Sequence, residues 1–295
     1  MKNTVSVIIN FHNGEKYLAT CIESVLNQKF ENLEIILWDN ASTDNSKNIV
    51  EKFQEKKMKY FRHPIKENLY KARNRAIDVS SGQLIAFLDC DDWWEEDYLS
   101  AREKYFNDTN FDFFYSNTNI FYQKKKRKKL YKNFDLPSGK IFSDLAKDYF
   151  IIISGTIFKR DLFNKYGKFN ENYNLIGDYD FIMKISKFCN AHATNLPLLN
   201  YRIHGENFFG LNSKLYYEEF KDWYDKNNND DFHFNQNKFF FENKLRYIEI
   251  LFLLKKKKKN ISLFIKIMKH KVFLEKIKLL ILFFLPNILY KFFKA

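Results

Sequence analysis

Four short apolar runs rich in β-branched and aromatic residues dominate the first 90 positions, and each of the first three is followed by a stretch with helical spacing. The runs are "VSVIIN" (5–10), "LEIILWDN" (33–40), "MKYFRHP" (58–64) and "QLIAFLD" (83–89). Between the first two, "GEKYLATCIESVLNQ" (14–28) places Leu18, Cys21, Ile22, Val25 and Leu26 at intervals of three and four, which puts them on one helical face. "STDNSKNIVEKFQEK" (42–56) opens with helix-capping residues, and "NLYKARNRAIDVSSG" (68–82) ends in Ser-Ser-Gly, a helix stop before the next strand. Strands alternating with helices, with a fourth run apolar enough to be covered on both faces, predict an α/β fold with a doubly wound, mostly parallel sheet.

Such sheets bind ligands beyond the carboxyl ends of their strands. Asp39 closes the second run, while Asp89 and Asp91 close the fourth, so carboxylates far apart in the chain should converge on one crevice. In "LDCDDWWEED" (88–97) the acids Asp89, Asp91 and Asp92 stand within four positions. Their mutual repulsion works against folding unless a cation or a donor-rich ligand offsets it. Cys90 between them is read as a packing residue.

Past residue 110 the pattern becomes aromatic and alternating, as in "FDFFYSNTNIFYQ" (111–123) and "GKIF" (139–142), with a basic turn "KKKRKK" (124–129); mixed or antiparallel strands are expected there. "DYDFIMKISKF" (178–188) returns to helical spacing with Phe181, Ile182, Ile185 and Phe188 on one side.

The formal charge of +13 is concentrated at the end: residues 241–295 hold 14 Lys and Arg against 3 Glu, which leaves about +2 for the rest. Because Phe, Leu and Ile interleave with these lysines, a membrane surface suits the tail better than a nucleic acid, along whose phosphates apolar side chains find no burial. The longest uncharged stretch, Leu279 to Tyr290, has 12 residues and contains Pro286, short of the roughly 20 residues of a spanning helix. Three dispersed cysteines (Cys21, Cys90, Cys189) form no CxxC pair and point to a reducing compartment. The first strand begins within a few residues of Met1, leaving no room for a leader peptide. The expectation is a cytoplasmic protein, peripheral on the inner face of the plasma membrane.

The ordered succession of motifs over residues 4–207 resembles glycosyltransferase family 2, the inverting enzymes of the A-type nucleotide-sugar fold. "VSVIINFHNGEKYL" resembles the family's opening strand and turn, with Asn10, His12 and Asn13 in the turn. "LWDNASTDNS" matches the block whose acid, here Asp39, contacts the nucleotide base; the family often has Asp-Gly where this chain has Asn40-Ala41. "ENLYKARNRAI" resembles the helix carrying Asn68, Arg73 and Asn74, with Tyr70 in place of a glycine or small residue. Arg73 is read as a partner for the site's acids or phosphate, or as a solvated helix cation.

"LDCDD" matches the Asp-x-Asp motif, implying Asp91 as ligand for Mn²⁺ or Mg²⁺, Asp89 toward the ribose and Asp92 in a secondary place. Hard cations of this kind take oxygen ligands and keep positions open for phosphate. "NYNLIGDYDFIMKI" resembles the Glu-Asp segment of the general base. Asp178 takes the base position, Gly177 replaces the usual glutamate, and Asp180 is the alternative base. "NYRIHGEN" resembles the Arg-x-His block, with His204 toward the metal or diphosphate and Arg202 as its neighbour.

The resemblance implies a catalytic domain over 1–210, with a nucleotide-binding half (1–110) and an acceptor half (111–210), followed by a helical, basic extension (211–295). It implies transfer of a hexose from a nucleotide sugar, most readily a UDP-hexose, to a glycan acceptor such as a lipid-linked one. The rival reading from charge alone is a noncatalytic basic module that binds membrane or nucleic acid.

Overall fold

The computed structural model describes residues 3–53, 55–205, 212–228 and 231–255. The apolar, lysine-rich segment from Lys256 to Ala295, on which the membrane-surface reading rests, lies outside them. Among the described residues no helix is long and apolar enough to cross a membrane. The chain divides into two compact units, Met1–Ile203 and His204–Ala295.

In the first unit, strands β1 (Val5–Phe11), β2 (Leu33–Asn40), β3 (Met58–His63) and β4 (Leu84–Phe87) run parallel in the order β3-β2-β1-β4. Helices α1 (Leu18–Leu26), α2 (Ser46–Glu51) and α3 (Leu69–Val79) make the crossovers. The expected boundaries of the first two helices shrink for a local reason. Residues 14–17 form a turn in which the Gly14 carbonyl accepts from Tyr17 and Leu18, and Ser42 to Asp44 bond to the loop after β1 instead of joining a helix. Helix α3 begins at its expected cap: the Asn68 side chain accepts from the Tyr70 N–H at 2.7 Å, filling one of the orphan donors of the first turn.

The sheet continues past β4 through β8 (Thr156–Lys159), β6 (Phe113–Tyr122), β9 (Ala191–Ile203) and β5 (Trp93–Trp94), with β7 (Arg127–Leu130) on β6. This half is mixed, as its alternating aromatic pattern predicts: β8 is antiparallel to β4 and β6, whereas β6 and β9 run parallel. The basic run forms the tight connection and exposed edge strand of the β6-β7 hairpin, turning at Lys126 with φ 48°. "GKIF" is not a strand. Gly139 makes an isolated bridge to Ala191, and Phe142 starts helix α4 (Phe142–Lys147).

Two cores sandwich the sheet. One face of β1, through Val5, Val7, Ile9 and Phe11, packs with Leu18, Cys21, Ile22 and Val25 of α1. Elsewhere Phe87, Phe158, Phe163, Phe169 and Phe181 lie ring against ring, with centroids 4.8–6.2 Å apart. This cluster joins β4 and β8 to α5 (Asp161–Tyr166) and α6 (Gly177–Ser186). Phe181, Ile182 and Ile185 are buried as their spacing predicts, but Phe188 falls beyond the end of α6 and is 54% exposed. Because Phe181 is anchored in the aromatic cluster, the first turn of α6 is held against the carboxyl edge of the sheet. That turn carries Asp178.

The second unit contains α7 (Ser213–Asn227) and α8 (Phe232–Lys255). Their mutual packing is aromatic: Trp223 meets Phe234 and Phe241 at 6.0 and 5.3 Å between centroids.

Candidate active site

The acidic turn follows directly from β4. After Phe87 the Leu88 N–H still donates to Ile8, and then the chain folds back, with the Asp92 N–H donating to the Asp89 carbonyl at 3.0 Å. Asp89 thus stands two residues beyond the strand. Asp39, in the last turnings of β2, lies on the same edge two strands away, a separation of roughly 10 Å at 4.8 Å per strand.

Neighbours from other elements hold the turn open despite its charge. The Asp89 N–H donates to Ser154 Oγ at 3.2 Å. From β9, the Arg202 N–H donates to Asp92 Oδ1 (2.9 Å) and its Nε to the Asp91 carbonyl (2.8 Å). The Arg202 guanidinium also sits over Trp93 and Tyr17, 4.5 and 4.7 Å from their ring centroids, where the ring faces attract it. Arg202 is therefore a clamp on the acidic turn. His204 itself is the first residue of the second unit.

Asp92 does not project to a ligand. It is 1% exposed, and its Oδ2 has no hydrogen-bond partner among the described residues. Burial, then the charges of Asp91 and Asp89, push its carboxyl well above the ordinary carboxylate range, favouring the neutral acid. The shift toward the protonated form and the Arg202 N–H on Oδ1 both work against the repulsion noted in the sequence.

Asp89 meets Arg73 of α3 in an ion pair. Arg73 is neither a solvated helix cation nor free to meet phosphate: it is 2% exposed, with its guanidinium beside the rings of Tyr70 and Phe87. Next to it, Asp178 Oδ1 accepts from the Tyr70 hydroxyl (3.0 Å) and the Tyr179 N–H (2.8 Å). Burial raises the Asp178 carboxyl above the ordinary range; the Arg73 charge and these two donors oppose the rise, and Asp89 adds to it. Asp89, Arg73, Tyr70 and Asp178 thus form one electrostatic cluster. Asp180 does not share it by position, because two residues along a helix turn a side chain about 200° around the axis.

The residues after β1 and β2 have structural duties. Asn13, at φ 56°, accepts the Thr43 N–H on Oδ1 at 2.8 Å, and the His12 Nδ1 lies 2.9 Å from the Asn40 carbonyl. Asp39 is wholly buried, with Oδ1 accepting from the Ser42 N–H and Oδ2 from the Tyr60 hydroxyl, both at 2.7 Å. Asn68 ties α3 to the loop before α6, donating to the Tyr173 carbonyl at 2.6 Å. Asn10, 6% exposed, has neither amide atom hydrogen-bonded among the described residues, an unusual state for a buried polar group.

Two participants carry no sequence signal of the kind used above. Ser154 lies in an apolar segment without periodicity. Tyr201 stands in the β9 block beside Arg202, and its hydroxyl is raised above its ordinary value by burial and then by Asp92, Asp91, Asp89 and Asp178. Geometrically, the acidic turn and the start of α6 are linked through α3, whose Arg73 pairs with Asp89 while its Tyr70 donates to Asp178.

The model for glycosyl transferase family 2 matches residues 6–167. The chain belongs to that family. This family 2 glycosyltransferase is 29% identical over 203 residues, 68% of its length and 77% of the relative's, to the UDP-Glc:alpha-D-GlcNAc-diphosphoundecaprenol beta-1,3-glucosyltransferase WfaP of Escherichia coli. Several other curated relatives are matched over less than half of their own length. Among solved structures, residues 1–349 of S. aureus TarS in complex with UDP-GlcNAc superpose with a TM-score of 0.64 at 18% identity, covering 84% of this chain and 73% of that one. The mannosyltransferase PcManGT of Pyrobaculum calidifontis, in complex with GDP-Man and Mn²⁺, gives 0.67 at 13% identity, covering 100% and 85%. These likenesses establish the A-type fold, and family membership replaces the noncatalytic reading with that of an enzyme.

Among the described residues no three His, Cys, Asp or Glu side chains form a metal-binding group. The donors present nonetheless suit a hard divalent ion: a carboxylate turn, braced by Arg202 through the Asp91 backbone, supplies oxygen and leaves other positions to a ligand's phosphates and water.

Proposed function

We propose that this glycosyltransferase moves a hexose from a UDP-linked donor to a lipid-linked glycan acceptor, with inversion at the anomeric carbon, at the cytoplasmic membrane face. The observation that carries the reading is the placement of Asp178 against the Arg73–Asp89 pair at the carboxyl edge of the sheet. The WfaP name supports a UDP-hexose and a diphosphoundecaprenol-linked acceptor, and the basic, apolar composition of residues 241–295 supports a membrane surface.

Asn10, His12 and Asn13 line the nucleoside end, where the buried Asp39 acts by holding Ser42, whose hydroxyl accepts from Asn13, and Asp89, paired with Arg73, faces the ribose. Asp91 would hold Mn²⁺ or Mg²⁺, with the remaining positions left to phosphate oxygens and water. Such an ion, when bound, acts as a Lewis acid on the departing diphosphate. Asp178 takes the proton of the acceptor hydroxyl as its oxygen attacks the anomeric carbon and the C–O bond to the diphosphate breaks on the opposite face. A single displacement needs no second carboxylate nucleophile, so an α-linked donor gives a β-linked product. A base with raised proton affinity, still partly open to the crevice, matches this task.

The test compares Asp178→Asn with Asp91→Ala. Asp178→Asn lowers transfer at least about a hundredfold, the usual scale for a general base, while UDP affinity measured with Mn²⁺ holds. Asp91→Ala weakens the Mn²⁺-dependent part of that affinity. Retained turnover in Asp178→Asn overturns the assignment of the base.

A further inference from the structure

The turn into α6 and the start of α3 meet in a contact too close for ordinary side chains. A Cβ added at Gly177 would fall 2.6 Å from Cγ and Cδ2 of Tyr70, inside van der Waals contact, so the Tyr70 ring lies directly on the Gly177 backbone. The ring is 2% exposed and wedged further by Phe169, at 5.7 Å between centroids, and by the Arg73 guanidinium, at 5.5 Å from the ring centre. Its hydroxyl ends at Asp178 Oδ1. The Tyr179 N–H reaches the same oxygen, and both donors to this carboxylate fall on Oδ1.

Resting on the reading of Asp178 as the base, we propose that Tyr70 is its positioning residue: the phenol fixes Oδ1, turns Oδ2 toward the acceptor hydroxyl, and reaches it only because position 177 has no side chain. The tyrosine and the glycine act as one device, from two helices 107 positions apart in sequence. A side chain at 177 would displace the ring and release the carboxylate. A phenol suits the duty because burial and the neighbouring Asp178 charge raise it well above its ordinary value, keeping its proton available to donate.

Tyr70→Phe keeps the ring and removes only the donor. The charged and titratable groups that face Asp178 are Arg73 and Tyr70 of α3, Asp89 of the acidic turn, Tyr149, Tyr179, and Tyr201 of β9. Arg73, the Tyr179 N–H and the Tyr70 hydroxyl lower the Asp178 carboxyl, so losing the hydroxyl raises it. The base works deprotonated, and the acid limb of the kcat/KM profile therefore moves to higher pH in Tyr70→Phe. The expected loss in kcat at neutral pH is about tenfold, the lower end for disturbing a group that orients a reactive residue, with UDP affinity unchanged.

Gly177→Ala produces the same loss in the wild-type background and little further loss in a Tyr70→Ala background, the non-additivity of two residues in contact. Asp178→Asn is run alongside. If Asp178→Asn is inactive while Tyr70→Phe keeps the wild-type pH profile and kcat, or loses only melting temperature, the positioning role falls and the base stands. If Asp178→Asn turns over normally, both fall.

Discussion

Arg73→Met removes a charge that the fold has sealed inside the first unit and leaves its partner Asp89 behind. Arg73 is 2% exposed, whereas the Asp89 side chain is 34% exposed. Deleting one member of a fully buried pair costs about 3–5 kcal/mol. Water still reaches Asp89 to hydrate its orphaned carboxylate, so the expected cost is lower, about 2–3 kcal/mol. At roughly 2–4 °C per kcal/mol for a unit of this size, thermal unfolding of the full chain should fall by about 5–10 °C. Asp89→Asn, by the same reasoning, costs more, because the guanidinium it strands has no access to water. The double variant Arg73→Met/Asp89→Asn leaves no uncompensated charge and should recover part of the loss, with a coupling of about 1–3 kcal/mol. Melting curves by circular dichroism on the four proteins decide it. Single variants within 2 °C of wild type, or strictly additive losses, would refute the claim that this ion pair organises the site's floor.

Two further outcomes follow from features near the same edge. Ala41 adopts φ 62°, a left-handed conformation costing an alanine about 1 kcal/mol or more. Ala41→Gly should raise stability by roughly 0.5–1 kcal/mol after the entropy of the unfolded glycine is subtracted, read as a higher urea midpoint at constant slope. Glu34 is buried, which alone would raise its carboxyl, but donors from Lys59, Ser6 and Ser81 outweigh burial and hold it at about 2, against 4.5 ordinarily. A depressed folded value gives stability that is present above about pH 4.5 and lost as pH falls toward 2. The wild type should therefore lose more stability over that window than Glu34→Gln, and identical acid profiles would contradict the assignment.

Much of the parallel half of the sheet, residues 1–110, was readable in the chain, because its signals are local. β-branched runs and three-four spacing come from neighbours in sequence, and β1 to β4 lie where those periods placed them, including the cap at Asn68. The rule that parallel strands present their carboxyl ends to ligands then put Asp39, Asp89 and Asp91 on one edge before any coordinates. Where local chemistry competed with periodicity, boundaries moved: Ser42 to Asp44 serve the loop after β1 and shorten α2, and Phe188 drops off α6 into solvent.

Side-chain roles behaved differently, since they depend on contacts between distant segments. Arg73 looks like any helix cation until Phe87 and Tyr70 close over it, and Asp92 resembles Asp91 until the fold buries it. Arg202 braces the Asp91 backbone and the Asp92 carboxylate, a duty that no local pattern announces. Tyr70 and Gly177, two separate departures from the family pattern, become one feature once α3 and α6 pack together. Sequence alone determined which strands form and which acids reach the sheet's edge, because backbone pattern is written over a few residues at a time. Tertiary structure decided which of those acids is buried, paired or hydrogen-bonded, because packing and hydrogen-bond partners exist only after segments a hundred residues apart have met.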